Sequence, residues 1–139
     1  MMHTKTIEIP TTRQGLLEIT GIIGQVVADS QIREGICSVF ILHTSASLLI
    51  TENADPSARH DIETWFARIA PENDPHYTHT AEGPDDMPSH LRAAVTRTSE
   101  TLQIDDGQLC LGTWQGLFLF EHRSRPHRRK IRIRIWGSQ

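Results

Sequence analysis

Strands at both ends of the chain and helices in its middle predict an α+β domain, with helices packed on a mostly antiparallel sheet. Three observations carry this. The C-terminal part holds the strand-like runs Thr101 to Ile104, Leu109 to Thr113, Leu117 to Glu121 and Lys130 to Trp136, parted by turn signals at Asp105-Asp106-Gly107 and Gln115-Gly116 and by the polar run Arg123 to Arg129. In the last of them Ile131, Ile133 and Ile135 alternate with Arg132 and Arg134, the mark of a strand with one wet face. In the middle, Asp55-Pro56 is a helix start, with Asp as N-cap and Pro at the first helical position.

The remaining elements follow in order. His3 to Ile9 alternates and stops at Pro10, which predicts a short strand. Leu16, Ile19, Ile23, Val26 and Val27 approximate a helical stripe and predict a helix near 16–28. Ile36 to His43 is apolar on both faces, as in a strand covered on both sides. Thr44 to Ser47 interrupts it before Leu48-Leu49-Ile50, so two strands with a kink or tight turn are expected. The helix opened by Asp55 should run over 56–69 and bury Ala58, Ile62, Trp65, Phe66 and Ile69. Pro71 to Tyr77 has turn composition. A third helix is expected near 88–98, opened by Pro88 and carrying Leu91, Ala94 and Val95 on its apolar side.

With 139 residues the chain suits a single domain with its own core. A net charge of −3 argues against general nucleic-acid binding. The start Met-Met-His-Thr-Lys holds no apolar signal segment, and no run approaches the ~20 apolar residues of a membrane helix. Cys37 and Cys110 both lie in apolar strand-like runs and read as buried thiols of a cytoplasmic protein.

The most polar stretch, His79 to Arg92, is expected outside the core. Asp85 and Asp86 would reach the start of the third helix, where a carboxylate is worth roughly 0.3–1 kcal/mol at an exposed end. Capping alone would explain them. Asp86 and His90 are also four apart and share a helix face, and with His79 they suit a borderline divalent metal or an acid–base pair. Other patches are His43-Thr-Ser-Ala-Ser47, Glu52-Asn-Ala-Asp-Pro56 with Arg59 and His60, Gly112-Thr-Trp-Gln-Gly116, and Glu121-His-Arg123. The basic run from Arg123 to Lys130 is either a solvated loop or a phosphate collector. The chain contains no Walker loop, G-x-S-x-G, H-E-x-x-H or Cys-based zinc pattern.

Taken together, these segments, with Tyr77-Thr-His79 and Glu82-Gly-Pro-Asp-Asp-Met-Pro-Ser-His90, resemble the YjbQ-like family over nearly the whole chain. The resemblance implies an antiparallel sheet bent towards a half-barrel and a homotrimer with sites near the subunit boundaries. It also implies a weak thiamine-phosphate synthase activity, joining hydroxymethylpyrimidine diphosphate to thiazole phosphate with release of diphosphate. A metal-dependent hydrolase of a phosphorylated metabolite is a second reading, and a non-catalytic trimeric binder of an anionic small molecule a third.

The site expected on this basis is a polar cleft where His43, His90 and His122 hold a divalent metal, zinc-like or Mg²⁺, with His79 as reserve ligand. Three His with an open fourth position is a known ligand set of catalytic zinc. Asp86 or Glu121 would orient a ring N–H. Arg123 would bind the phosphate of a small phosphorylated substrate, joined by Thr113 and Gln115. Asp86, Glu121 and Arg123 are the catalytic candidates. Trp114 is expected to be buried, under the site or at a subunit contact.

Overall fold

The computed structural model describes residues 1–139, in the order β1 (Met2–Thr11), β2 (Gly15–Glu18), α1 (Thr20–Ser30), β3 (Glu34–Ile41), β4 (Ala46–Glu52), α2 (Pro56–Ile69), α3 (Asp86–Val95), β5 (Ser99–Asp105), β6 (Gln108–Leu109), β7 (Gln115–Glu121) and β8 (His127–Ser138). A five-stranded sheet has the order β1-β8-β3-β5-β6, and a three-stranded sheet the order β2-β7-β4. Every pairing is antiparallel. Together they form an antiparallel sheet curled into a half-barrel with three helices, the α+β arrangement expected.

The core follows from strand parity. In β8, Ile131, Ile133 and Ile135 point inwards, facing Val39, Ile41 and Cys37 of β3 and joined by Leu48, Leu117 and Leu119 of the smaller sheet. Ile23, Val26 and Val27 of α1 complete this cluster. Each such side chain, fully buried, contributes about 1.5–3 kcal/mol. The other face of β7 carries Phe118 and Phe120, which pack with Leu16 and Phe66 into a second cluster under α2. β7 is therefore covered on both faces.

That double coverage was expected of Ile36 to His43 instead. In β3 only one face is covered: Ile36, Phe40 and the following Leu42 are exposed. The interruption at 44–47 is real, because β3 and β4 belong to different sheets. The first predicted helix begins late. Gly15–Glu18 is a strand because its pairing with β7 places Leu16 in the aromatic cluster, and the helix starts only at Thr20. The second helix has its expected bounds, with the Asp55 carboxylate accepting from the Ser57 N–H. Of its expected apolar face only Phe66 is buried, while Trp65 and Ile69 are exposed. The third starts two residues early and ends three early. It also turns the opposite way. Asp86, Pro88, Ser89 and Arg92 face inwards, and Ala94 and Val95 face solvent. Cys37 is buried, its thiol pushed up to about 12 by burial, but Cys110 is exposed because β6 ends at Leu109. No helix is long and apolar enough to cross a membrane.

Candidate metal centre

The polar side of α3 is buried because the Arg123 side chain lies against it. Asp85 does not cap the helix. Its Oδ2 accepts from the Ser124 N–H at 2.8 Å, the Ser124 hydroxyl at 3.1 Å and Arg123 Nε at 3.2 Å. Asp86 Oδ1 accepts from Arg123 Nη1 at 2.7 Å, and Arg123 Nη2 donates to the Glu82 carbonyl at 3.0 Å. The loop can present that carbonyl because Gly83 takes φ +105°, a conformation side chains disfavour. Ser89 binds the helix to the next strand end, donating to the carbonyls of Asp85 and His122.

This leaves Asp86 Oδ2 for two imidazoles. His79 Nε2 lies 2.8 Å from it and His90 Nε2 3.1 Å. One ligand atom from each of His79, Asp86 and His90 falls within 4.8 Å of the other two. Burial alone would raise the Asp86 pKa. The hydrogen bond from His79 and the charges of His90 and Arg123 outweigh it and hold the carboxyl below the usual range. Opposing effects of the same kind hold Asp85 low, through Ser124 and Arg123.

His90 fixes the electronic character of the group. Its Nδ1 lies 2.9 Å from the Thr44 carbonyl, which can only accept, so the hydrogen is on Nδ1. In the neutral ring Nε2 then presents a lone pair to a carboxylate oxygen. Two electron-rich atoms at this distance call for a cation between them, either a proton or a metal ion. Two imidazoles and a carboxylate match the donor set of zinc-like ions better than that of Mg²⁺, which prefers oxygen.

His43 and His122 do not join this group. His122 is fully buried, with Nε2 2.8 Å from Ser47 Oγ, and Thr96 Oγ1 donates onward to Ser47. Burial, aided by the charges of Arg92 and Arg129, pushes its pKa down to about 3, so the ring is neutral. His43 Nε2 accepts from the Lys130 N–H at 2.7 Å. The three residues whose ligand atoms come together, and which could hold a metal ion, are therefore His79, Asp86 and His90, not His43, His90 and His122. Glu121 orients no ring: its carboxylate binds Arg129, the Thr11 hydroxyl and the Arg123 N–H. Arg123 is committed to Asp85, Asp86 and Glu82 and positions the acid pair. Thr113 and Gln115 lie at the other end of β7 from Glu121, about 20 Å away at ~3.3 Å per residue. There Gln115 Oε1 accepts from the Gly112 N–H, and a Cβ on Gly116 would lie 2.8 Å from that of Asn53, so this glycine serves packing. Trp114 is 64% exposed in the chain, not covered by its own fold.

Each histidine of the Asp86 group opens onto its own cleft. His79 lines one of ≈350 Å³ with Asn73, Tyr77, Thr80, Pro84 and Met87. His90 lines one of ≈500 Å³ with His43, Thr44, Ala93, Ala94 and Thr98. Arg129, which binds the Glu121 carboxylate, lies within the basic run from Arg123 to Lys130. It shares strand parity with Ile131, Ile133 and Ile135, and that parity marks it as an inward-facing cation.

Comparison with known proteins places these features in a group. A sequence model described as UPF0047 protein YjbQ-like matches residues 5–138. A UPF0047 protein of Synechocystis is 47% identical over 136 residues, covering 98% of this chain and 92% of its own. The YjbQ protein of Escherichia coli is 38% identical, covering 99% and 100%. Among solved structures, a YbjQ-like protein of unknown function from Sulfolobus solfataricus superposes with a TM-score of 0.87 at 26% identity, covering 99% and 100%. A conserved hypothetical protein from Thermus thermophilus gives 0.85 at 30% identity, covering 95% and 99%.

Proposed function

The chain belongs to the YjbQ-like UPF0047 family, and from that premise we propose that it is a metal-dependent hydrolase of a small phosphorylated metabolite, with a zinc-like ion held by His79, Asp86 and His90. The observation that carries this is the His90 ring, whose hydrogen is spent on the Thr44 carbonyl so that Nε2 faces Asp86 as a lone pair. Three protein ligands are the number found in catalytic zinc sites, whereas structural sites have four. When bound, such an ion supplies Lewis acidity to a substrate oxygen. The protein's own part is orientation. Thr44 fixes the His90 tautomer, and Arg123 with Asp85 fixes the Asp86 carboxylate. Keeping Asp86 ionised keeps it a ligand.

A second reading is the thiamine-phosphate synthase reaction. Two separate clefts, of ≈350 Å³ at His79 and ≈500 Å³ at His90, would suit two substrates. Against it, the guanidinium beside the acid pair, Arg123, already spends a hydrogen bond from each of its three nitrogens on Asp85, Asp86 and the Glu82 carbonyl. One assay separates them. Purified zinc-loaded protein is given phosphate monoesters in one arm, and hydroxymethylpyrimidine diphosphate with thiazole phosphate in the other. Inorganic phosphate in the first arm supports the hydrolase. Diphosphate with thiamine phosphate in the second supports the synthase. Turnover in neither arm, with metal still bound, leaves a binding protein and defeats both.

We also propose a homotrimer. Ile36, Phe40, Leu42 and Trp136 stand exposed along the outer face of the five-stranded sheet, and burying such a row favours self-association. The unpaired thiols Cys37 and Cys110 suit the reducing cytoplasm.

A further inference from the structure

His43 lines the ≈500 Å³ cleft, and behind it the His43 ring and the buried Arg129 side chain set two hydrogen-bond donors against one another. His43 Nε2 accepts from the Lys130 N–H at 2.7 Å, so that nitrogen has no hydrogen and the neutral ring carries its own on Nδ1. Nδ1 lies 3.5 Å from Arg129 Nη1. A guanidinium nitrogen never accepts, and a protonated ring nitrogen cannot. Neither can satisfy the other, and one oxyanion within reach of both would satisfy the pair. The rest of Arg129 is already engaged. Its Nε donates to Glu121 Oε1, and Nη2 donates to Glu121 Oε2 and the Ser45 carbonyl. Nη1 is its uncommitted nitrogen, on a side chain only 3% exposed.

The surroundings are cationic. Burial and the charges of Arg129, His127 and Lys130 lower the His43 pKa. The one opposing charge, Glu121, is engaged with Arg129. Lys130 and Arg125 have no carboxylate within ion-pair distance, and no acidic residue lines the cleft.

We infer that His43 Nδ1 and Arg129 Nη1 form an oxyanion subsite that seats the phosphate or carboxylate group of a small molecule, whose other end extends along the cleft to His90. The subsite itself stands apart from the metal; only the placing of the reacting end at His90 rests on the proposed function. Thr44 links the two, since it follows His43 in sequence and its carbonyl accepts from His90. The small side chains Ala93 and Ala94 leave the floor between them open.

The experiment uses chelator-treated, metal-free protein and titrates inorganic phosphate, then acetate, while following the His43 ring nitrogens by NMR. Phosphate should shift Nδ1. His43→Leu removes the ring donor, and it should weaken phosphate binding at least about tenfold, 1.4 kcal/mol, with zinc affinity unchanged. Phosphate binding tighter than acetate identifies a phosphoryl substrate, and equal binding a carboxylate. The subsite is overturned if phosphate leaves His43 unmoved in the metal-free wild type, if it binds only once zinc is present, or if His43→Leu binds it as well as wild type. The wild-type shift stands as the test should the variant not fold. Phosphate binding without zinc binding would retain the subsite and discard the metal site.

Discussion

His90 Nε2 sits 3.1 Å from Asp86 Oδ2 while the opposite nitrogen of the same ring donates to the Thr44 carbonyl. A helix spacing of four residues brings the two side chains together, and a carbonyl from the turn after β3 decides which ring nitrogen is left basic. Zinc should bind at one equivalent per chain in calorimetric titration. Removing a direct ligand, by His79→Ala or His90→Ala, should cost more than the 10–100-fold typical of outer-shell partners. Wild-type affinity in His90→Ala would end the metal reading.

Arg123 is the fixed point of the acid pair. Its side chain is 12% exposed, and those of Asp85 and Asp86 are 10% and 2% exposed. Removing one side of a buried, hydrogen-bonded charge cluster leaves the other uncompensated, a loss of about 3–5 kcal/mol. Arg123→Ala should therefore lower the unfolding free energy by that amount, read as a lower urea midpoint, and weaken zinc binding with it. A midpoint within experimental scatter of wild type would mean that solvent reaches the pair and that Arg123 is no clamp.

How far the sequence could be read depends on which physical signal each residue carries. Alternation at Ile131, Ile133 and Ile135 and the Asp55-Pro56 start are local, and the sheet and α2 follow them. Leu16 has the same apolarity in a helical stripe as in a strand, so only the aromatic cluster around Phe118 and Phe120 decides its state. Helix α3 misled because burial there is driven by pairing: Asp86, Ser89 and Arg92 go inwards to meet Arg123, the His122 carbonyl and the Ala70 carbonyl. The Asp86–His90 pairing was legible from spacing. The fate of His122 was not, since alternation put its ring opposite Glu121 and Arg123 but could not show Ser47 waiting there.

Assembly is tested at Phe40, which pairs in register with Arg132 and is 43% exposed. A charge there cannot disturb the core, which lies on the other face of β3 with Val39 and Ile41. Phe40→Glu should leave the unfolding free energy of the isolated chain within about 0.5 kcal/mol and reduce the mass by light scattering from three chains to one. A wild-type mass in both proteins at three chains would move the interface to another surface, with Trp114 the next to be changed. A wild-type mass of one chain would remove the trimer.

Acid should weaken the fold in two separate windows. His122 is held neutral down to about 3, and His43 is lowered as well, whereas in the unfolded chain both take up protons near pH 6.5. The unfolded state then binds more protons, so stability falls as pH drops below about 6.5, by up to about 1.4 kcal/mol per pH unit for the buried His122 and by less for the partly solvated His43. Asp85, Asp86 and Glu121 are lowered acids. Their contribution is fully present above the ordinary carboxylate pKa near 4 and is lost only as pH falls through their lower native values. His122→Gln keeps a donor for Ser47 but cannot titrate. In metal-free protein it should flatten the slope between about pH 6.5 and 4.5 by one proton's share, leaving His43's share and the steeper loss below pH 4 in place. Urea midpoints measured at half-unit steps of pH would show it. An unchanged slope in the variant would mean that His122 is protonated in the native fold, which its contact with Ser47 and its distance from any carboxylate make the costlier state.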